Sequence, residues 1–316
     1  MNNQEVNGKM ELHIKGLIAA PYAPFKEDGS LNLPIIDLYV DHLVDEGVFS
    51  VFVNGSTGEG VSMNVEERKK VAEKWVEAGR NKLTAVIVHV GAHSIQDVKE
   101  LARHAATIGA TAIAAMPTTF FKPSTEVRVA SYLAEIASSA PTLPLYYYHI
   151  NALTGVNISV ERLFEVIDNE VNVPTFRGVK FTSPDLLDYG RCIAYGKYDV
   201  MYGLDEQLLP ALSLGAETFV GSTYNYAGKL YNGIIEDYNN GDMVAARQGQ
   251  FKSHAFIKVL LKHTRTGVDF CSITKALMVL CGVDVGPART PMNNMSKGQI
   301  LQLKHDLQEV GFFEWK

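Results

Sequence analysis

Short apolar runs alternate with longer amphipathic ones along most of the chain. Residues 16–20, 50–54, 84–89, 111–116, 143–148, 175–182, 199–202 and 218–220 are rich in β-branched and aromatic side chains, and each reads as a strand. Between them apolar positions recur at helical spacing. Asn32 is expected to cap the first helix, with Pro34 in its first turn and Ile36, Tyr39, Val40 and Leu43 on one face. Asn64 and Glu67 have the spacing of a capping box, and Trp75 and Val76 follow on the apolar face before Gly79. Ser94 and Ser159 stand as caps, and Gly109 as a stop. Helices are also predicted over 185–194, 206–214 and 226–238. From Asp242 onward the strand pattern disappears, and residues 243–263, 272–281 and 296–310 read as three helices.

Eight strand–helix units in about 240 residues match a (β/α)8 TIM barrel. A doubly wound open sheet also alternates, but it stops at fewer strands and opens on a Gly-rich dinucleotide loop. No G-x-G-x-x-G occurs in this chain. The predicted organisation is a polar N-terminal tail over 1–11, a barrel over 12–240, and a C-terminal three-helix extension over 241–316, packed on the barrel or between subunits.

Composition narrows the class further. The formal charge is −6 and no dense Lys/Arg run occurs, so there is no electrostatic footprint for nucleic acid. The opening segment lacks an apolar core, which argues against a signal peptide or membrane anchor, and no apolar run approaches the ~20 residues of a membrane helix. The three cysteines, Cys192, Cys271 and Cys281, form no Cys-x-x-Cys pair. So sparse and odd a set suits free thiols in a reducing compartment, and the expected location is cytoplasmic.

The chemistry concentrates on the sixth strand. Alternation predicts that Phe176, Gly178 and Lys180 share one face. A lysine on an apolar strand either snorkels to solvent or has a task. If buried it favours the neutral amine, which attacks carbonyls to form Schiff bases. Barrel enzymes carry their chemistry on the loops after the strands. The loop after strand two, Asn54-Gly55-Ser56-Thr57-Gly58-Glu59-Gly60, is either a plain glycine turn or an anion cradle with Ser56 and Thr57 as hydroxyl donors. In the triplet Tyr146-Tyr147-Tyr148, Tyr148 is in phase with Tyr146 and would be nearest the barrel mouth, where a phenol can move protons; His149 would then face the helices. After strand seven, Asp205 and Glu206 either cap the following helix or accept bonds from substrate hydroxyls. The loop after strand eight, Gly221-Ser222-Thr223-Tyr224-Asn225, has no Lys or Arg beside it before Lys229, which favours a neutral polyol over a phosphosugar. Histidines are scattered, and His89 and His93 straddle a strand end and a loop, so no metal site is expected.

Gly55-Ser56-Thr57-Gly58-Glu59, Tyr148 and Gly178-Val179-Lys180-Phe181-Thr182 together resemble the dihydrodipicolinate synthase/N-acetylneuraminate lyase superfamily of Schiff-base barrels, over nearly the whole chain. The runs Tyr146-Tyr147-Tyr148-His149-Ile150, Ala152-Leu153-Thr154-Gly155, Gly203-Leu204-Asp205-Glu206-Gln207 and Gly221-Ser222-Thr223-Tyr224-Asn225-Tyr226 are similar to its sialic-acid-cleaving branch of the animal type. The resemblance implies a class I aldolase that splits N-acetylneuraminate into N-acetylmannosamine and pyruvate, with no metal or organic cofactor and a homotetrameric assembly. It implies Lys180 as the Schiff-base lysine and Tyr148 as the proton-handling phenol. Ser56 and Thr57 would hold the pyruvate carboxylate, and Thr182, Gly203, Asp205, Glu206 and Ser222 would contact the hydroxylated tail. Leu153 stands where the synthases carry an arginine for a second carboxylate. Phe120-Phe121 occupies the loop that usually offers a tyrosine to the neighbouring subunit, and Asn151 replaces a common proline. The competing expectations are a pyruvate-dependent aldolase or dehydratase acting on a 2-keto-3-deoxy sugar acid, and an idle barrel that only binds sialic acid or pyruvate.

Overall fold

A computed structural model describes residue 12 and residues 14–315; the expected tail over 1–11 lies outside the described residues. The strands are β1 (Gly16–Ala19), β2 (Ser50–Val53), β3 (Ala85–His89), β4 (Ala112–Ala115), β5 (Leu145–His149), β6 (Phe176–Phe181), β7 (Asp199–Tyr202) and β8 (Thr218–Gly221). They are parallel and close in sequence order, with β8 pairing back onto β1. The barrel helices are α1 (Ile35–Asp45), α2 (Val65–Gly79), α3 (Ile95–Ile108), α4 (Glu126–Ser139), α5 (Asn151–Thr154), α6 (Val160–Asn169), α7 (Leu186–Tyr195), α8 (Leu208–Ser213) and α9 (Gly228–Asn239). The extension consists of α10 (Met243–Thr264), α11 (Phe270–Leu280) and α12 (Lys297–Glu309). The chain is the expected (β/α)8 barrel with a helical C-terminal extension.

Local chemistry accounts for most element ends. The Asn64/Glu67 capping box forms reciprocally, Ser94 and Ser159 accept from the third residue of their helices, and Gly109 ends α3 in a left-handed conformation. Asn32 does not cap α1. Its N–H bonds Pro24 O and its neighbour Leu31 bridges Phe25, so this stretch is committed to extended pairing and the helix starts at Ile35. Asp205 does not cap a helix either; the chain runs through a 3-10 turn over Asp205–Gln207 before α8, with no side-chain cap on either element. A further 3-10 turn at Thr223–Asn225 delays α9 to Gly228.

Alternation along the strands divides the core into two shells. Ile18, Phe52, Ile87, Ala112, Ala114, Tyr146, Tyr148, Met201 and Val220 fill the barrel interior. A larger shell, including Val51, Val88, Tyr147, Val179 and Phe181, lies between strands and helices. The interior balances its volumes: Ala112 and Ala114 of β4 adjoin β5, which brings the large rings of Tyr146 and Tyr148. Tyr146 forms the floor, its hydroxyl donating to Asp199 Oδ2 at 2.9 Å, where Arg177 Nε also donates at 2.9 Å.

The sixth strand departs from simple alternation. Leu145 pairs with Phe176, but Tyr146 pairs with Gly178, so β6 carries one extra residue at Arg177. The bulge turns Phe176 outward, against Phe164 and Tyr198, and it does not share a face with Lys180 as expected. Just past the bulge, on its mouth side, the backbones of β6 and β7 come close. A Cβ on Gly178 would lie 2.0 Å from Asp199 O, so glycine there makes room for a neighbouring strand rather than for the amine above it. Gly178→Ala is expected to lower stability by about 3 kcal/mol through overpacking, read as a drop in the urea midpoint. A midpoint unchanged within error would show that this close approach imposes no constraint.

Candidate active site

The C-terminal ends of the strands converge on a cavity of about 270 Å³. Its lining includes Ser56, Thr57, Tyr148, Lys180, Thr182, Gly203, Asp205, Glu206 and Ser222, so every residue expected to act on or bind the substrate borders one space. Ile257 and Leu261 of α10 and Phe270 of α11 close part of its wall. A larger hollow of about 1060 Å³ runs along the flank of α10 and shares Glu206, Ile257 and Leu261 with the first. It contains neither Lys180 nor Tyr148, so the smaller cavity is where covalent chemistry can occur.

Lys180 is only 4% exposed, which rules out the snorkelling alternative. Its Nζ lies 4.1 Å from the centroid of the Phe52 ring and 4.2 Å from that of Tyr148. These two rings meet edge to face at 5.4 Å and fix the direction of the amine. Phe52 points inward on β2 by the same alternation that buries Ile18 and Ile87.

Tyr148 is held from behind by His89, whose ring lies 5.8 Å away at 87°. His89 is buried. Its Nδ1 lies 3.0 Å from Asn54 O and its Nε2 accepts from Met116 N–H at 3.2 Å, which assigns the proton to Nδ1. Burial, and then the nearby Arg68 charge, push its pKa well below the ordinary range, so His89 is a neutral support. Arg68 donates to His89 O at 2.6 Å and Gly91 O at 2.8 Å, holding the end of β3. His149 faces the helices, as its phase predicts, against Phe181 at 5.3 Å, and burial lowers its pKa to about 4.

The loop after β2 folds back on itself. Glu59 N–H donates to Ser56 O and Gly60 N–H to Gly55 O, both at 3.1 Å. Asn54 and Glu59 sit at φ 62° and 49°, in the left-handed region. A Cβ on Gly60 would lie 2.1 Å from Asn54 O, so only glycine allows this closure. Ser56 and Thr57 occupy the tip, and Ser56 Oγ lies 3.4 Å from the Tyr148 hydroxyl.

The opposite side is polar. Thr182 Oγ1 is buried with no hydrogen-bond partner among the described residues, and a Cβ on Gly203 would stand 2.1 Å from it. Gly203 thus keeps open the space into which that hydroxyl can bond a ligand. Asp205 Oδ2 accepts from Thr223 N–H at 2.9 Å and Thr223 Oγ1 at 2.6 Å. Burial raises its pKa to about 6, against the lowering effect of the Thr223 bonds. A Cβ on Gly221 would meet Asp205 Oδ1 at 1.8 Å, so that glycine admits the carboxylate. Leu153, where the synthases carry arginine, is 66% exposed and does not line the cavity. Phe120 and Phe121 pack edge to face at 4.9 Å on the surface.

Sequence reasoning passed over several contributors. Phe52 was accessible through strand phase. His89 was weighed only as a metal ligand, and Thr223 and Gln250 act through partners remote in sequence: Thr223 on Asp205, and Gln250 Oε1 accepting from Leu209 N–H at 2.9 Å.

Comparisons with known proteins bear on the family and the fold. The model of the Dihydrodipicolinate synthetase family matches residues 13–310. N-acetylneuraminate lyase of Mus musculus is 44% identical over 304 residues, covering 95% of this chain and 93% of its own length. That of Homo sapiens is 46% identical over 289 residues, covering 90% and 88%. The solved Proteus mirabilis N-acetylneuraminate lyase is 40% identical and superposes with a TM-score of 0.89 over 95% of this chain and 99% of that one. By sequence and by fold, this chain belongs to the dihydrodipicolinate synthetase family.

Proposed function

We propose that this chain is a Schiff-base aldolase that cleaves N-acetylneuraminate to N-acetylmannosamine and pyruvate. The observation that carries the reading is the buried Lys180 amine, clasped by Phe52 and Tyr148 in a cavity with hydroxyl donors on one side and hydroxyl acceptors on the other. The N-acetylneuraminate lyases of mouse and human, at 44% and 46% identity, supply the substrate.

In the proposed sequence the Lys180 amine adds to the C2 ketone of the open-chain sugar acid, and loss of water gives an iminium. Ser56 and Thr57 donate to the substrate carboxylate, which orients C2 toward Nζ. Thr182, Asp205, Glu206 and Ser222 bond the hydroxylated tail, with Gly203 leaving room for it. The C4 hydroxyl then loses its proton toward Tyr148, the C3–C4 bond breaks, and its electron pair flows into the iminium to leave an enamine. N-acetylmannosamine departs as the aldehyde. Protonation at C3 and attack of water at C2 release pyruvate and restore the amine. The 3.4 Å approach of Ser56 Oγ to the Tyr148 hydroxyl supports a proton path that joins the phenol to the carboxylate end.

The same reading includes a cytoplasmic homotetramer. The sparse, odd set of three cysteines supports a reducing compartment, and exposed Phe120, Phe121 and Leu153 are apolar surface that an assembly would cover. Among the described residues no helix is long and apolar enough to cross a membrane.

Borohydride reduction in the presence of pyruvate is expected to leave a stable adduct on the peptide containing Lys180, seen by mass spectrometry. Lys180→Ala should abolish both adduct and turnover, and an adduct that persists in that variant would refute the assignment. The Asp205 carboxylate gives a pH signature. With its pKa raised to about 6, it is protonated below that pH and accepts poorly, and is ionised above it. Thus kcat/KM for N-acetylneuraminate should rise through about pH 6. Asp205→Asn should remove that limb and lower kcat/KM at neutral pH by roughly 10- to 100-fold, the worth of hydrogen bonds to a charged group. An unchanged profile in Asp205→Asn would exclude this role.

A further inference from the structure

Behind the loop that carries Ser56 and Thr57 lies a buried ion pair that does not line the cavity. Glu59 and Lys275 each have side chains only 1% exposed, with Oε1 and Nζ 2.8 Å apart. The ammonium places all its donors: on Glu59 Oε1, on Ala23 O at 2.9 Å and on Pro287 O at 2.8 Å. The second carboxylate oxygen of Glu59 accepts from Arg289 N–H at 3.0 Å. Arg289 continues the link, its side chain reaching Ser62 O at 2.9 Å, Gly29 O at 3.0 Å and Glu67. One small junction therefore ties the loop after β2, the segment after β1, the start of α2 and the C-terminal extension.

The junction bears on the turn that faces the cavity. Glu59 lies two positions after Thr57 and is held at φ 49°, a conformation a non-glycine residue keeps only where its surroundings over-determine it. Its backbone N–H closes the turn on Ser56 O. On α11, Cys271 stands one helical turn before Lys275, on the same face, with its Sγ 3.9 Å from Thr57 O. Phe270, next to it, lines the cavity. α11 thus touches the turn at Thr57 and again at Glu59.

We infer that Glu59 and Lys275 are positioning residues: through them α11 fixes the Ser56-Thr57 turn for a small 2-keto carboxylate, so this pair governs the pyruvate end of the site, while the sugar-end loop after β7 is braced separately by α10 through Gln250 and His254. The inference rests on the aldolase reading and adds a separable consequence. The sugar-tail groups Thr182, Asp205 and Ser222 lie on the loops after β6, β7 and β8, and among the described residues none of them is a hydrogen-bond or ion-pair partner of Glu59 or Lys275. Loosening the pair should therefore weaken pyruvate capture and spare the aldehyde.

The test uses the full chain with Glu59→Gln and Lys275→Met combined, since removing both charges avoids an unpaired buried ion. Folding is checked by circular dichroism and thermal midpoint. Pyruvate capture is read as the half-saturating pyruvate concentration in borohydride trapping, and aldehyde capture as KM for N-acetylmannosamine in the condensation direction. The expected result is a folded variant whose half-saturating pyruvate rises about tenfold, the mark of roughly 1.4 kcal/mol, while KM for N-acetylmannosamine stays within about twofold. An unchanged pyruvate requirement, or equal losses for both substrates, overturns the inference. If the double variant does not fold, Lys275→Arg decides. It keeps the charge but pushes a larger head into the junction, and should raise the pyruvate requirement selectively; no change, or an equal change for both substrates, overturns the inference. A wild-type chain that traps no pyruvate would instead overturn the aldolase reading, and this inference with it.

Discussion

The site depends on burying one amine at the mouth of a closed barrel with no carboxylate tied to it among the described residues. Lys180 reaches that position because β6 returns to phase above its bulge, and it stays there because the Phe52 and Tyr148 rings flank its Nζ. Aromatic faces attract the ammonium form yet offer no proton acceptor that would lock it as one half of an ion pair. The contrast with Lys275 is informative. Both lysines are buried, but Lys275 places its donors on Glu59 and two carbonyls and is a structural pin. Burial alone does not mark a nucleophile; what faces the amine does.

The surrounding groups follow from that placement. The Tyr148 ring serves Lys180 on its face while its hydroxyl approaches Ser56, so one side chain joins the nucleophile to the anion-binding turn. Neutral His89 backs the ring without adding charge. Across the cavity, glycines at 203 and 221 exist to admit Thr182 and Asp205. The C-terminal helices, separate from the barrel in sequence pattern, supply part of the wall through Ile257, Leu261 and Phe270, and brace the loops from behind through Gln250 and Lys275.

Much of this was legible in the sequence because it depends on period and local chemistry. Strand alternation set Tyr148 in phase with Tyr146 and out of phase with His149, the Asn64/Glu67 spacing announced its capping box, and the glycine-rich turn announced itself by composition. What was not legible depends on the approach of remote segments. The bulge at Arg177 moved Phe176 to the outer shell, and no composition rule reveals an extra residue in a ladder. Asn32 and Asp205 have the side chains of helix caps, but Asn32 follows the Leu31 bridge with its N–H on Pro24 O, and Asp205 bonds Thr223 across the barrel mouth. The Glu59–Lys275 pair joins positions far apart in the chain, and neither residue carries a local sign of the other.

The chemistry proposed for this mouth is a retro-aldol cleavage of N-acetylneuraminate. Its most direct test is product analysis after incubating the purified chain with that sugar acid. Pyruvate and N-acetylmannosamine are expected in equal amounts, without added metal or organic cofactor. Failure to form pyruvate from N-acetylneuraminate, with pyruvate or a dehydrated keto acid appearing only from a 2-keto-3-deoxy sugar acid, would contradict it.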